Sequence, residues 1–397
     1  MSEVRSLKLE ELAAYNKLSS ICFTYTVNTE NLAPKEMPPE KLHQYRGCFD
    51  EDSRLLGGMI LLEMDCRFEG HTCRFVGVGG VVTDPADRRR GAIRQIFEAD
   101  LPRMYEEGFT FSALYPFSHV FYRKFGYELA IVRRNAKFSP ASLRKGLCRA
   151  ASIRRILPDE HDGGMKQVYE AYMADKNLGI LRSEEQWKSL RSGTPWENQK
   201  HAYMLYSEND EPIAYWIGSM SKGSEGAVLS LEDLAYVSRE GMEAIFSMLQ
   251  TMNEVGTVKL AVPQDMPLRH LMADPYDMEE DSSCGGMVRI VNAEKVLGML
   301  PAPALAGRCG VEVSDGQIPA NNGRFLIVGD GEKLTVTRTE DELDLRCTIN
   351  GLSALVVNSM DFRECLDTRL AELLRPENGH FMAELFHARK QHLHNYF

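Results

Sequence analysis

The chain has 397 residues, 44% of them hydrophobic and 26% charged, with a formal net charge of −11. At roughly 100–200 residues per domain, that length predicts two or three domains rather than one core. The acidic balance excludes the basic footprint that nucleic-acid phosphates require, and it is compatible both with a cationic partner and with plain solubility.

No apolar run approaches the roughly 20 residues of a bilayer span. The opening "MSEVRSLKLEELAAYNKLSS" lacks the apolar centre of a signal peptide, so a cytoplasmic protein without membrane contact is expected. Cysteines are scattered from Cys22 to Cys365 without a CxxC pair. They read as reduced, buried thiols rather than disulfides or a zinc site.

The first ~150 residues alternate between the twofold period of strands and the roughly 3.6-residue period of helices, the pattern of elements packed in layers. "KLEELAAYNKLSSICF" has helical spacing at Leu9, Leu12, Ala13 and Leu18. "RLLGGMILLEMDCRF" and "CRFVGVGGVVTD" read as strands, the second interrupted by Gly77, Gly79 and Gly80. A helix from Ala92 to Glu107 places Ile93, Ile96, Phe97, Leu101 and Met104 on one face and stops at Gly108. "FTFSALYPF" is a short strand, "SHVFYRKFG" a short helix ended by Gly126, and "YELAIVRRNAKF" another strand. Residues 1–150 are thus expected to form an α/β domain with helices on a central sheet.

A second domain is expected over 151–285. "DGGMKQVYEAYMADK" reads as a helix and "HAYMLYSENDEPIAYWIGSM" as a hairpin turning at Asn209–Pro212. "GAVLSLEDLAYVSREGMEAIFSMLQTM" repeats the strand, polar turn, glycine and helix of residues 76–104, and "VKLAVP" stands where "FTFSALYP" does. The acidic stretch "DPYDMEEDSSCGG" reads as a closing loop. A third domain, 286–397, opens with "MVRIVNAEKVLGML" and the loose connection "PAPALAGRCG". "GRFLIVGDG" and "KLTVTRT" read as strands, and "SALVVN" and "DTRLAELLR" as helices, an α+β module.

The chemistry concentrates at "VTDPADRRRGAIRQ". A helix N-terminus carries unpaired N–H groups and partial positive charge, so it attracts anions. Gly91 permits close backbone approach, and Arg88, Arg89 and Arg90 add charge for phosphates. A preceding strand with a partly free edge suits an extended amide ligand, and the pair of features suits the pyrophosphate and pantetheine of coenzyme A. Spacing alone leaves this reading and a solvated basic turn both open. "GVGGVV" lacks the third glycine and the strand–helix turn of a dinucleotide fingerprint. No GxxxxGKS, HExxH or GxSxG motif occurs.

"VTDPADRRRGAIRQIFEADL" resembles motif A of the GNAT acyltransferases, (R/Q)xxGx(G/A), and "SHVFYRKFGYELA" resembles their later FYxxxGF segment. Motif A ends here Gly91-Ala92-Ile93, where many GNAT proteins have a small last residue. More narrowly, the whole chain resembles the Eis-type (enhanced intracellular survival) N-acetyltransferases. Tandem GNAT-like halves, the "MVRIVNAEKVL" opening of a sterol-carrier-like domain and an aromatic C-terminus carry that likeness.

The resemblance implies an acetyl-CoA-dependent N-acetyltransferase without a metal. Cofactor contacts are expected from Val81, Val82, Thr83, Arg88, Arg89, Arg90, Gly91, Ala92 and Ser118. Tyr122 becomes the general acid and the α-carboxylate of Phe397 the base; core packing of Tyr122 and a frayed tail are the competing readings. Tyr127 reads as structural. Phe23, Tyr25 and Tyr396 are expected at the acceptor. His387, His392 and His394 have no carboxylate or cysteine nearby in sequence to complete a metal site. The second repeat keeps only "SREG" and is expected to be structural. The expected acceptor is a primary amine of a polycation, of the aminoglycoside, polyamine or lysine type, and the expected assembly is a homohexamer. The alternative function is a lipid or small-molecule binding protein with a vestigial acyltransferase half. A third reading keeps the enzyme and gives longer acyl chains room beside Gly79 and Gly80.

Overall fold

The computed structural model describes residues 2–161, 163–357, 360–387 and 390–393. They divide into two compact units. The first takes the described residues of Met1–Ile131, Gly285–Arg389 and Leu393–Phe397, the second those of Val132–Cys284 and Lys390–His392.

Up to Ile131 the elements are β1 (Glu3–Ser6), α1 (Leu12–Phe23), α2 (Pro39–Leu42), β2 (Tyr45–Phe49), β3 (Leu55–Phe68), β4 (His71–Thr83), α3 (Ala92–Glu106), β5 (Phe111–Leu114), α4 (His119–Arg123) and β6 (Glu128–Leu129). Then follow β7 (Val132–Phe138), β8 (Ser152–Arg155), α5 (Gly163–Tyr172), β9 (Ile180–Leu181), α6 (Glu184–Leu190), β10 (Lys200–Tyr206), β11 (Pro212–Gly223), β12 (Gly226–Tyr236), α7 (Arg239–Leu249), β13 (Val255–Val262) and β14 (Met278–Cys284). The last third holds β15 (Met287–Ile290), α8 (Ala293–Leu297), β16 (Gly307–Ser314), β17 (Gly323–Gly329), β18 (Leu334–Arg338), β19 (Leu345–Thr348), α9 (Ile349–Val357), α10 (Phe362–Asp367), β20 (Ala371–Leu373) and α11 (Gly379–Leu385).

The sheet of the first unit runs β1-β2-β3-β4-β5-β15-β6. Strands β1 to β4 are antiparallel neighbours, whereas β4 and β5 are parallel and joined through α3. Helix α3 buries Ile93, Ile96, Phe97, Leu101 and Met104, the face its periodicity selects. The second unit repeats that arrangement: β12 and β13 are parallel and joined through α7. Its sheet runs β14-β7-β13-β12-β11-β10-β8. The last third adds a sheet of order β18-β17-β16-β19-β20.

Four expectations change. "YELAIVRRNAKF" is not one strand; it breaks at Ala130–Ile131, leaving β6 in the first sheet and β7 in the second. The acidic stretch 278–284 is a strand, not a loop, because basic β7 lies beside it. Lys137 meets Glu279 at 3.1 Å, Arg134 meets Glu280 at 2.8 Å, and Asn135 donates to Asp281 at 2.8 Å. The end of "PAPALAGRCG" already belongs to β16. Within "DTRLAELLR" the ordered element is strand β20, paired with β19, while the helix lies just before it.

Candidate active site

The site is built where β4 and β5 part. The two pair only over Phe75–Val78 and Phe111–Leu114, and β4 then continues to Thr83 beside β3 alone. An extra residue of β4 near Gly80 shifts the register against β3, a bulge that bends the strand there. Alternation turns Val82 into the core with Leu7, Tyr15 and Phe49, and turns Val81 and Thr83 to the other face.

Past Thr83 the chain turns into α3. Arg89 and Gly91 both adopt left-handed backbone, at φ 68° and 85°. Gly91 is the N-cap of α3 and offers no side chain to its first N–H groups. Arg88, Arg89 and Arg90 are exposed. Arg90 is tied to buried Asp87 at 2.6 Å, and Arg54 grips the same carboxylate at 2.5 and 3.1 Å. Those hydrogen bonds, Arg54's first, hold the Asp87 carboxyl below its ordinary range.

These elements enclose a cavity of about 720 Å³. Its wall contains Phe23, Val81, Thr83, Arg88, Arg89, Arg90, Gly91 and Ala92, which the sequence singles out. It also contains Cys22, Ile93, Arg94, Phe117, Phe121, Lys124 and Phe125, which the sequence reading missed. The fourfold spacing of Phe117, Phe121 and Phe125 was the available signal; the three rings, one before α4, one in it and one after it, follow each other at 5.5 and 5.3 Å. Five lining residues are Lys or Arg and none is Asp or Glu. A second cleft, of about 580 Å³ beside β7 and β14, offers charges already paired across strands.

The remaining expected residues lie elsewhere. Ser118 is the N-cap of α4, its Oγ accepting from Phe121 N at 3.3 Å. Tyr122 is buried behind the cavity wall, its ring 5.2 Å from Phe117 and 5.1 Å from Phe121. Burial pushes its phenol well up, so it stays protonated at neutral pH. Tyr127 shares a hydrogen bond of 2.7 Å with Ser112, and burial pushes it up to about 12. Tyr25 is half-exposed and is not part of the cavity wall. Tyr396, Phe397 and His394 lie outside the described residues. Leu393 is buried, and its carbonyl accepts from Tyr115 Oη at 3.3 Å, in the loop between β5 and α4. His392 packs edge-on against Tyr172, and His387 accompanies the Glu384 carbonyl at 2.8 Å.

Two further readings change. Tyr15 Oη donates to Gly80 O at 2.5 Å and occupies the place of any Cβ on Gly80. The room expected beside Gly80 for longer acyl chains is filled. Six cysteines are buried, but Cys148 and Cys284 are exposed and Cys22 lines the cavity. Among the described residues no group of three His, Cys, Asp or Glu side chains converges on a metal position.

Comparison with known proteins agrees with this architecture. Two acetyltransferase (GNAT) domain families match residues 3–130 and 178–290, and a sterol carrier protein domain family matches residues 293–393. The N-acetyltransferase Eis of Mycobacterium tuberculosis (strain ATCC 25177 / H37Ra) is 26% identical, over 78% of this chain and 78% of that one. Eis of Mycobacterium bovis (strain ATCC BAA-935 / AF2122/97) matches equally. Among solved structures, a GCN5-related N-acetyltransferase from Anabaena variabilis superposes with a TM-score of 0.87, at 18% identity and full coverage of both chains. Eis1 from Mycobacterium abscessus does so at 0.81, also at 18% identity and full coverage. With two acetyltransferase (GNAT) domains followed by a sterol carrier protein domain along one chain, the protein is an acetyltransferase similar in domain order to the Eis N-acetyltransferases.

Proposed function

We propose that the first domain transfers acetyl from acetyl-CoA to a primary amine of a polycationic acceptor of the aminoglycoside, polyamine or lysine type. The cavity at the Gly91-capped end of α3 carries this reading, with its arginines and its free β4 edge. The residues fit the cosubstrate: a carboxylate-free wall beside a helix N-terminus receives phosphates, and the β4 edge that β5 leaves past Val78 receives an amide-bearing arm. Arg88 and Arg89 hold the phosphates, Val81 and Thr83 the arm, with the backbone of Val82 and the Ser118 hydroxyl as further contacts.

Acetyl-CoA supplies the acetyl group as an activated thioester. The protein's part is to place the amine and to manage two protons. Tyr122 keeps its phenolic proton at neutral pH and is the donor in the transfer. The α-carboxylate of Phe397 is the acceptor of the ammonium proton. Support for its placement is the anchoring of Leu393 to Tyr115, four positions earlier and next to α4. Tyr396 and Phe23 flank the acceptor, with Tyr25 at a greater remove. The net charge of −11 favours a polycation over the whole molecule, while the cationic cavity wall assigns that cavity to the phosphates.

The second acetyltransferase domain is structural in this proposal. Ser238 caps α7 by accepting from Gly241 N at 3.2 Å, and Glu240 puts a carboxylate where the first domain has arginine. Free thiols fit a reducing, cytoplasmic setting. A homohexamer is the proposed assembly, to be measured by light scattering on the eluting protein.

The test is steady-state release of coenzyme A thiol with aminoglycosides, polyamines and lysine peptides. Transfer by wild type, with turnover lowered about 10²–10⁴-fold in Tyr122→Phe, is expected for loss of a general acid. A chain extended by one residue after Phe397 is expected to lose turnover as well; full activity there removes the carboxylate from the mechanism. Absence of transfer to any amine sinks the acceptor class.

A further inference from the structure

Helix α4 spans only His119–Arg123, too short to hold itself by its own ladder. Its end and the following turn expose carbonyls that need donors. Gly126 N donates to Arg123 O at 3.1 Å within the turn, and the further donors come from side chains at least 164 positions later in the chain. Asn350, in the first turn of α9, donates through Nδ2 to Arg123 O at 3.0 Å and to Tyr127 O at 2.9 Å. Gln317 Nε2 donates to Lys124 O at 3.3 Å. Arg289 Nη1 donates to Phe125 O.

The clamp is itself braced. Arg289 and Asp315 form a fully buried ion pair at 2.6 Å. Asp315 accepts also from Asn321 Nδ2 at 2.9 Å, Gln317 N at 2.9 Å and Ile318 N at 3.2 Å. Gly126 closes the turn at φ 83°, and a Cβ there would lie 1.9 Å from Arg289 Nη1 and 2.7 Å from Ile349 Cγ2. The same turn sets Phe121, Lys124 and Phe125 on the cavity wall and Tyr122 behind it.

We infer that Asn350 is a positioning residue for acetyl transfer, and that the C-terminal third, through Asn350, Gln317 and Arg289, is a built-in brace of the acetyltransferase site. This rests on the reading of the cavity as the acetyl-CoA site. A brace that only added stability would act on the whole unit. A positioning brace acts on α4 and on the kinetics while the fold persists.

Asn350→Asp tests it on the full chain. The change keeps the shape, removes the donor and turns a carboxylate towards two carbonyls. An acid in the first turn of α9 is otherwise tolerated. Kinetics, thermal midpoint and hydrogen–deuterium exchange are read together. Loss of two hydrogen bonds predicts about tenfold faster exchange across 119–127 and about tenfold lower kcat/KM for acetyl-CoA. Exchange in β16–β18 stays unchanged. Asn350→Gln, which keeps the amide on a longer arm, recovers part of both effects, and Gln317→Ala gives a weaker loss of the same kind.

Faster exchange with unchanged kinetics overturns the inference, as does unchanged exchange at 119–127. So does an activity loss that tracks only the fraction of unfolded protein. Calorimetry on the wild type separates the other failure. A wild-type chain that binds no coenzyme A sinks the reading of the cavity, and the inference falls with it.

Discussion

Arg88 and Arg89 differ from Arg90 in what they touch. Arg90 is engaged by Asp87, while no ion pair to Arg88 or Arg89 occurs among the described residues. Arg88→Ala and Arg89→Ala are therefore expected each to raise KM for acetyl-CoA about tenfold, the worth of one charge-assisted hydrogen bond, with kcat little changed. A fall in kcat at constant KM would contradict a phosphate-holding role. Gly80 makes a different prediction. A methyl there collides with Tyr15 Oη, so Gly80→Ala is expected to cost about 1–3 kcal/mol by overpacking and to lower the thermal midpoint. The arginine–glycine turn was legible in the sequence because a motif is local. Tyr15 was not, because its hydrogen bond to Gly80 spans 65 positions.

At the scale of elements, α3 and α7 occupy equivalent places between parallel strands but end differently. Helix α3 begins at an uncapped glycine facing a cavity; α7 begins at a serine cap. Within α7, buried Glu243 accepts from Cys148 N at 3.0 Å, Arg144 at 2.9 Å and Arg239 at 3.0 Å. The Cys148 backbone bond, helped by Arg239 and opposed by burial, draws its carboxyl down to about 2. An unfolded glutamate titrates near ~4.3. The folded value is the lower one, so Glu243 stabilises fully above that pH, and its contribution is lost as pH falls towards 2. Glu243→Gln is expected to lower the urea midpoint at pH 7 and to flatten its fall between pH 4 and 2. An acid limb parallel to wild type would refute this. Helices α1, α3, α5 and α7 were visible from periodicity. Strand β14 was not, since its residues are acidic and only the basic partner β7 makes them a strand.

At the scale of the molecule, β15 lies between β5 and β6, so the first sheet is completed from residue 287 onwards. A chain ending at residue 150 lacks that strand and exposes two edges. It is expected to unfold without a cooperative transition, read by circular dichroism against temperature, whereas the full chain melts sharply. A cooperative transition in the short chain would show β15 to be dispensable. The buried Arg289–Asp315 pair adds a second prediction. Asp315→Asn leaves a guanidinium uncompensated and is expected to cost about 3–5 kcal/mol in denaturant unfolding.

The sequence by itself determined the local features: the amphipathic faces, the stops at Gly108 and Gly126, the arginine–glycine turn, and the strand–turn–helix pattern repeated in the second domain. Each of these is written within a few tens of residues, through period, capping and motif spacing. Tertiary structure alone decided which strands share a sheet, that β6 and β7 part company, and that Phe117, Phe121 and Phe125 face the cavity. It also decided that the carbonyls after α4 end on Asn350 and Arg289. Those two bonds join residues 227 and 164 positions apart, and no local pattern in one sequence encodes that pairing.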